Sequence, residues 1–407
     1  MEHDGEARLR ANVSARSDER KRAPTRVLLW SPGFLGEIGG IEALARPMVE
    51  TLHGHGFEFL VMATNTVHPD ERELSWNGVR VHSLPLYDAL ARKDVAAYAL
   101  LRRRVREIER EFDPHVVHVN HHHPCLVVHC DSMRDRRAAV LYTAHGWGFV
   151  TSEGASRESI VGRLIRSADW VVGCAQSSVD AVCERIPEVR DRSSLIRNGM
   201  PPPPLAPAPL PWEPPVLLCI GRLVEQKGFD TAIRAMVHVD ERVHLRIAGY
   251  GPDADMLERI IAEHRLGNRV RLVGGVAPPD VPALLNEATI VLMPSRHWEG
   301  LPMVAVEAAL MARPLIASNL PGLDEAFVPG LTGLAIEPDD PVALAHSIGY
   351  LLAHREEAEK LGRQARERAL GEFGWEKYVR AYAELYERLA AGEGRAESRE
   401  SLSAGRE

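Results

Sequence analysis

The chain has 407 residues, of which 45% are apolar and 26% charged, and its 57 acidic and 49 basic side chains give a net charge of −8. This composition excludes collagen-like and wholly disordered proteins, and the acidic balance argues against nucleic acid as a partner. No apolar run approaches the length of about 18 residues that a membrane-spanning helix needs. The five cysteines, an odd number without metal-ligand spacing, favour a reducing compartment, so we expect a cytoplasmic protein.

Polar termini and a proline-rich segment divide the chain. Residues 1–24 and 391–407 are charged and lack periodicity, so we predict disordered tails there. Residues 201–215 read PPPPLAPAPLPWEPP, and so many missing N–H donors predict an extended, semi-stiff connector. The ordered chain is therefore predicted to form two lobes, at 25–200 and 216–374.

Short β-rich runs alternate with longer helical patterns in both predicted lobes. The strands are predicted at 26–31, 57–63, 115–119, 139–144, 170–174, 216–220, 243–248, 270–273, 290–294 and 314–317. The helices include 41–53, 94–112, 176–185, 229–239, 253–265, 303–311 and 341–353. This alternation indicates parallel sheets covered by helices on both faces. We predict an α/β protein of two doubly wound, Rossmann-like lobes that face each other across a cleft, with ligands at the carboxyl edges of the strands.

Two turns of the first lobe follow predicted strands. Glycines crowd the first turn, at Gly33, Gly36, Gly39 and Gly40, without the G-x-G-x-x-G spacing of a phosphate-binding turn. His145 ends another strand in the sequence T-A-H-G, where it could face the cleft as a hydrogen-bond donor or cap the sheet.

The turn after the first strand of the second lobe, G-R-L-V-E-Q-K-G, carries two cations. Arg222 could hold a diphosphate in its planar fork, and Lys227 could act on the same group as a point charge. Because open α/β folds bind ligands at the carboxyl ends of their strands, we favour this interpretation over two solvated loop residues.

A second motif, E-G-L-P-M-V-A-V-E-A, joins a loop to a predicted helix. Gly300 permits close approach of the backbone to a ligand, and the free N–H groups of a helix N-terminus attract anions. Along a helical path of about 100° per residue, Glu299 and Glu307 would point to the same side. Carboxylates there suit the vicinal hydroxyls of a ribose or hexose. The alternative is that Glu299 interacts with the helix dipole and Glu307 is a surface acid.

Two other features have simpler explanations than a functional one. The adjacent histidines at 121–123 lack a regular ligand geometry, so we predict no metal site. The basic helix at 100–111 could make a peripheral contact with the inner face of a membrane, but Glu107, Glu109 and Glu111 favour a solvated face.

Taken together, the motifs resemble retaining glycosyltransferases of family 4, which have the GT-B fold. The matching segments of the second lobe are G-R-L-V-E-Q-K-G at 221–228, A-G-Y-G-P at 248–252, R-V-R-L-V-G at 269–274 and E-G-L-P-M-V-A-V-E-A at 299–308. The first lobe adds G-G-I-E at 39–42 and T-A-H-G at 143–146. Residues 375–390 begin W-E-K-Y-V-R-A-Y-A-E-L-Y and are similar to the family's terminal helix, which crosses back to the first lobe.

The resemblance implies a role for each candidate residue. Arg222 and Lys227 would neutralise charge on the departing nucleoside diphosphate, and Glu307 would bind the ribose hydroxyls. The donor sugar would be held by Glu299 together with the backbone of Gly300 and Leu301. Gly39, Gly40 and the catalytic candidate His145 would complete the site from the first, acceptor-side lobe. The remaining donor-binding positions would be Gly221, Val273 and Val276, the last two beside the base.

The resemblance also implies a nucleotide-sugar donor, no metal or other cofactor, and a hydroxyl acceptor on a glycan, a glycolipid or a small molecule. Two alternatives stay open. A nucleotide-sugar epimerase or hydrolase would share the donor site but need no acceptor, and a two-lobed binding protein would close on a small ligand without chemistry.

Overall fold

The computed structural model describes residues 23–31, 33–34, 40–64, 71–120, 128, 137–145 and 159–393. Within these ranges the chain forms two α/β lobes, each built on one twisted sheet. The tails predicted at 1–24 and 391–407 lie almost wholly outside the described residues.

The first lobe contains an eight-stranded sheet among the described residues. Its strands are β1 (Thr25–Trp30), β2 (Phe57–Thr64), β3 (Arg72–Trp76), β4 (Val79–Leu84), β5 (Val116–Val119), β6 (Ala139–Ala144), β7 (Trp170–Gly173) and β8 (Ser193–Leu195). Their order is β3-β4-β2-β1-β5-β6-β7-β8, and all neighbours are parallel except β3, which runs antiparallel to β4. The helices are α1 (Glu42–Leu52), α2 (Leu86–Ala91), α3 (Val95–Phe112), α4 (Ile160–Ser167) and α5 (Gln176–Arg185).

The second lobe contains a six-stranded, fully parallel sheet. Its strands are β9 (Val216–Ile220), β10 (His244–Ala248), β11 (Val270–Gly274), β12 (Ile290–Met293), β13 (Leu315–Ser318) and β14 (Gly333–Ile336), in the order β11-β10-β9-β12-β13-β14. The helices are α6 (Phe229–Ala235), α7 (Ala254–Glu263), α8 (Val281–Asn286), α9 (Met303–Leu310), α10 (Leu323–Ala326), α11 (Pro341–Ala353), α12 (Arg355–Glu372) and α13 (Trp375–Ala390).

Apolar sequence runs explain the central strands. Every residue of β6 and β12 is buried, as expected for parallel strands with helices on both faces. The prediction of two Rossmann-like lobes is confirmed. Four strands that the sequence analysis did not predict, β3, β4, β8 and β14, lie at or beside sheet edges. Strand β3 reads RELSW and is mostly exposed, and charged side chains on an edge strand oppose pairing with other chains.

The proline-rich segment 201–215 lies against the second lobe. The Ala208 backbone N–H donates to Asn286 Oδ1 at 2.9 Å, and Asn286 Nδ2 donates to the Ala206 carbonyl at 3.0 Å. The buried Arg313 donates to the carbonyls of Ala208 and Ala288. The segment is therefore hydrogen-bonded to the second lobe at Ala206 and Ala208.

Helix α13 returns to the first lobe and packs on its sheet. His118 Nδ1, on β5, lies 2.7 Å from Tyr386 Oη, and Thr143 Oγ1, on β6, lies 3.1 Å from Tyr382 Oη. Burial lowers the pKa of His118 to about 3, so this ring is neutral. The chain passes between the lobes twice, after Met200 and after Gly374, and these two residues pair in an isolated parallel bridge. The two crossings are thus neighbours in space.

Helix α3 is the basic helix of the sequence analysis. Two of its cations are paired with acids: Arg103 Nε donates to Glu107 at 2.9 Å, and Arg104 Nε donates to Glu71 at 2.7 Å. None of the helices formed by the described residues has the length and apolarity to span a membrane.

Candidate active site

Two loops meet at the carboxyl edge of the second sheet. The loop between β9 and α6 carries Lys227, and the loop between β12 and α9 carries Glu299. Lys227 Nζ donates to Glu299 Oε1 at 2.6 Å, and Ser295 Oγ donates to the same oxygen at 2.8 Å. The two charged side chains are 20% and 17% exposed, so the pair lies in a partly shielded position. Two residues that are 72 positions apart thus form one charged site.

Glycines let these loops approach each other closely. Gly228 has φ +61°, and a Cβ atom there would lie 2.0 Å from the Pro294 carbonyl oxygen. Gly249 has φ +148°, and a Cβ atom there would lie 1.8 Å from the Gly221 carbonyl oxygen. An L side chain at either position would combine a strained backbone with a collision. The backbone of the Lys227 loop is therefore packed tightly between its neighbours.

Arg222 lies on the same loop as Lys227 but has an exposed side chain. Within the described part of the chain its guanidinium forms no ion pair, in contrast to Lys227. At a sheet edge where open α/β folds bind ligands, such a cation is available to an anionic group.

Helix α9 begins at Met303, after Pro302, and carries Glu307 in its second turn. Glu307 keeps part of its surface exposed, but the apolar environment of its carboxyl group raises its pKa to about 7. The prediction that Glu299 and Glu307 share a helical path is wrong, because the four residues from Glu299 to Pro302 are not helical. Glu299 is turned toward Lys227 instead.

The first residues of the E-G-L-P-M-V-A-V-E-A motif contact the first lobe. A Cβ atom on Gly40 would lie 3.9 Å from Met303 Cγ, an ordinary contact between the first-lobe turn and the start of α9. Leu301 is buried, and its backbone hydrogen-bonds the thiol of Cys174 at the end of β7. Burial nevertheless raises the pKa of Cys174 to about 11. The Gly300–Leu301 segment therefore lies at the boundary between the lobes.

A second contact between the lobes involves a residue that the sequence analysis did not single out. Glu325, on α10, accepts hydrogen bonds from the backbone N–H groups of Gln176 and Ser177 at 2.7 and 2.8 Å. These groups form the N-terminus of first-lobe helix α5, where a carboxylate is favourable. Arg197 NH2 lies 3.7 Å from the same carboxylate.

His145 lies at the end of β6, in the first lobe. Its Nε2 atom is 2.8 Å from Asn120 Oδ1, at the end of the neighbouring strand β5. This bond ties the turn to its own sheet. Gly39, the residues after His145 up to 158, and the histidines at 121–123 lie outside the described residues. Of the described residues, no three His, Cys, Asp or Glu side chains form a cluster that could hold a metal ion.

The segment expected beside the base begins in the last part of β11 and continues to Val276, and the A-G-Y-G-P turn follows β10. Val273 is exposed, whereas Val276 is half-buried against the core. Tyr250, in the A-G-Y-G-P turn, has an exposed ring, and a Cβ atom on Gly275 would lie 1.8 Å from that ring. Glycine at 275 thus permits the ring to lie directly on the backbone.

Comparisons with known proteins agree with both lobes. Residues 38–202 match Glycosyltransferase Family 4, and residues 206–368 match Glycosyl transferases group 1. A glycogen synthase of Mycobacterium tuberculosis is 30% identical over 393 residues, which cover 88% of this chain and 92% of that protein. A GDP-mannose-dependent alpha-(1-6)-phosphatidylinositol monomannoside mannosyltransferase of Mycolicibacterium smegmatis is 32% identical over 42% of this chain and 47% of its own length.

Solved structures show the same architecture. The sucrose-phosphate synthase of Thermosynechococcus elongatus has a TM-score of 0.79 at 24% identity, with 91% of this chain and 100% of that chain covered. The Anabaena protein HepE, solved with UDP and glucose, has a TM-score of 0.73 at 19% identity, with 89% and 99% covered. With both lobes matched and a full-length relative at 30% identity, the chain belongs to family 4 of the glycosyltransferases and is a nucleotide-sugar-dependent enzyme of the GT-B fold.

Proposed function

We propose that this enzyme moves a hexose from a nucleoside-diphosphate sugar to a hydroxyl acceptor, with retention of the anomeric configuration and without a metal ion. The observation that carries the proposal is the Lys227–Glu299 pair, held at the edge of the second sheet next to the boundary between the lobes. A diphosphate at this edge would meet Lys227 and the exposed Arg222 together.

The two cations act on the step in which the bond from the sugar C1 to the diphosphate oxygen breaks. The bonding electrons pass to the diphosphate, so negative charge grows there and attracts Lys227 and Arg222 more strongly than in the bound donor. Preorganised groups of this kind typically contribute about 10²–10³ in rate each. The paired Lys227 and the exposed Arg222 together would supply the charge neutralisation that a metal ion would otherwise give, which supports metal independence.

Glu307 and Glu299 hold the parts of the donor on either side of the diphosphate. Glu307 accepts hydrogen bonds from the ribose hydroxyls, and Glu299 with the Gly300–Leu301 backbone binds the sugar. A carboxylate can accept from both vicinal hydroxyls at once, which suits either ring. Because Glu299 is already paired with Lys227, sugar binding and charge neutralisation are coupled through this pair.

The first lobe provides the acceptor side, to which we assign Gly40, beside Met303, and His145. Retention, by attack on the leaving-group face, follows from the family resemblance. The full-length similarity to a glycogen synthase favours a hexose donor and a glycan hydroxyl as acceptor over a small-molecule acceptor. The three described cysteines are buried free thiols, which suits the cytoplasmic location that we propose.

A peripheral membrane contact through α3 is a narrower proposal. The exposed apolar side chains Val95 and Leu100 lie on this helix, close in sequence to its cations. We expect cosedimentation with phosphatidylglycerol vesicles but not with phosphatidylcholine vesicles, and weaker binding for Leu100→Ser. If equal amounts of the protein sediment with both vesicle types, the membrane proposal is wrong and α3 is a solvated helix face.

The function is tested by incubating the purified enzyme with UDP-, ADP- and GDP-hexoses, with and without gluco-oligosaccharides, in the presence of excess EDTA. We expect transfer to the acceptor in EDTA, and an NMR coupling constant at C1 that shows the configuration of the donor. Activity lost in EDTA and restored by Mg²⁺ or Mn²⁺ would contradict metal independence. Release of free sugar without acceptor would indicate a hydrolase, and isomerisation of the donor would indicate an epimerase. Saturable binding without any product would indicate a binding protein.

A further inference from the structure

Arg296 makes several polar side-chain contacts beside the site, but the reaction described above gives it no role. It follows β12 in the loop that carries Glu299, and its side chain is 17% exposed. Its guanidinium donates two hydrogen bonds to Asp230, both at 2.8 Å, and it also donates to Asp339. Asp230 is 13% exposed, so the two-pronged pair is largely shielded from water.

The same residue is bonded to the loop that carries Lys227. The Arg296 backbone N–H donates to the Gln226 carbonyl at 2.9 Å, and its NH1 atom donates to the Glu225 carbonyl at 3.2 Å. Asp230 lies just beyond Lys227, in the first turn of α6. Arg296 therefore holds the Lys227 loop from both sides, by the carbonyls before Lys227 and by the carboxylate after it.

Such a hold matters because of the chemistry of lysine. A lysine ammonium group sits on a flexible four-carbon stem, so its position depends on a fixed backbone and a fixed partner. The partner of Lys227 is Glu299, which lies three residues after Arg296 on the same loop as Arg296. A loose 225–228 segment would let Nζ move relative to both Glu299 and the diphosphate, and misplacement of about 1 Å can cost about 10²-fold in rate.

We propose that Arg296 is a positioning residue for the transfer reaction, which keeps Lys227 where charge develops on the leaving diphosphate. This inference rests on the proposed function. Hydrogen bonding to Asp230, and next to Asp339, raises the pKa of the arginine, so the clamp keeps its charge across the whole working pH range. The simpler alternative is that Arg296 only stabilises the second lobe.

The two interpretations differ in how Arg296 and Lys227 combine. If Arg296 acts through Lys227, Arg296→Met lowers kcat about 10-fold at saturating donor but by less than about 2-fold when Lys227 is already alanine. If Arg296 only stabilises the lobe, the same fold-loss occurs in both backgrounds and tracks the melting temperature. Arg296→Lys keeps the charge but loses the fork, so we expect it to recover only part of kcat.

Controls keep the test decisive. Arg246→Met removes another partly exposed arginine, paired with Glu287 outside both loops, and should leave kcat unchanged. If Arg296→Met does not fold, Asp230→Asn weakens the same Arg296–Asp230 pair and replaces Arg296→Met in the comparison with Lys227→Ala. Sugar transfer by the wild type and its loss in Lys227→Ala are measured first. Failure of the proposed function is then distinguished from failure of the Arg296 proposal. A folded Arg296 or Asp230 variant with normal kcat, or with equal losses in both backgrounds, overturns the proposal.

Discussion

The two sides of the cleft are held in place in different ways. In the second lobe, loops from separate strands are joined to each other, by Lys227 with Glu299 and by Arg296 with Asp230. In the first lobe, His145 is bonded to Asn120 on the adjacent strand, so the turn is tied to its own sheet. The second-lobe site is therefore a cluster of charged groups that joins two loops, whereas His145 is hydrogen-bonded to the neighbouring strand of its own sheet.

This difference suggests a division of labour. A site that stabilises growing charge gains from groups that do not reorganise during the reaction, and ion pairs between loops provide that rigidity. A site that accepts different hydroxyl compounds needs fewer fixed charges. Variants on the donor side should thus change kcat or donor binding sharply, and variants at the contact between the lobes should have smaller effects.

The largest effect is expected for Lys227→Ala. Lys227 faces charge that grows as the bond to the leaving group breaks, so kcat should fall about 10²–10³-fold even at saturating donor. The measurement is steady-state kinetics over a range of donor concentrations. Lys360→Ala removes a lysine from an exposed helix pair with Glu357 and should leave kcat unchanged. A normal kcat for Lys227→Ala would show that the Lys227–Glu299 pair is only structural.

Glu307→Gln should act mainly on donor binding. Ribose does not react, so its contacts are similar in the ground and transition states, and their loss raises KM rather than lowering kcat. Above about pH 7, where Glu307 is ionised, losing a charged acceptor costs about 1.5–3 kcal/mol, or about 10–100-fold in donor KM. Calorimetric titration with nucleoside diphosphate should show the same loss, and Glu359→Gln, in an exposed helix pair, serves as the control. Unchanged nucleoside diphosphate affinity would remove Glu307 from the ribose site.

The raised pKa of Glu307 gives a smaller effect that depends on pH. Its pKa is about 7 in the folded protein and about 4.3 in an unfolded chain, so only the folded protein holds this proton between these values. Stability therefore falls as pH rises through this window, and Glu307→Gln avoids the loss. Between pH 5 and pH 7.5, urea unfolding should show that the variant gains about 2 kcal/mol relative to wild type. A difference independent of pH would mean that the carboxyl group titrates normally.

Much of this architecture could be predicted from sequence, and the failures have physical causes. Continuous apolar runs predict the central strands. Strand β3 is a charged edge strand and β8 has only three residues, so neither has such a run. The motifs identified Lys227 and Glu299, but their direct bond joins loops 72 residues apart. Arg296 and Glu325 have partners that are distant in the chain, Asp230 and Gln176, so no local spacing reveals them.

The smallest effect is expected at the contact between the lobes. Glu325 accepts from the first two amides of α5, and its carboxylate interacts favourably with the positive end of that helix. Glu325→Gln keeps the shape but loses the charge, which should cost about 1 kcal/mol, or about 5-fold in the balance between closed and open lobes. The backbone amides of Gln176 and Ser177 should exchange hydrogen faster by about this factor.

Solution scattering provides the second measurement for Glu325→Gln. The wild type should become more compact when it binds nucleoside diphosphate, and the variant should need more ligand to reach the same radius of gyration. Glu357→Gln removes a carboxylate from a pair within one helix of the second lobe and should behave as wild type. If Glu325→Gln changes neither amide exchange nor compaction, the contact follows lobe closure rather than stabilising it.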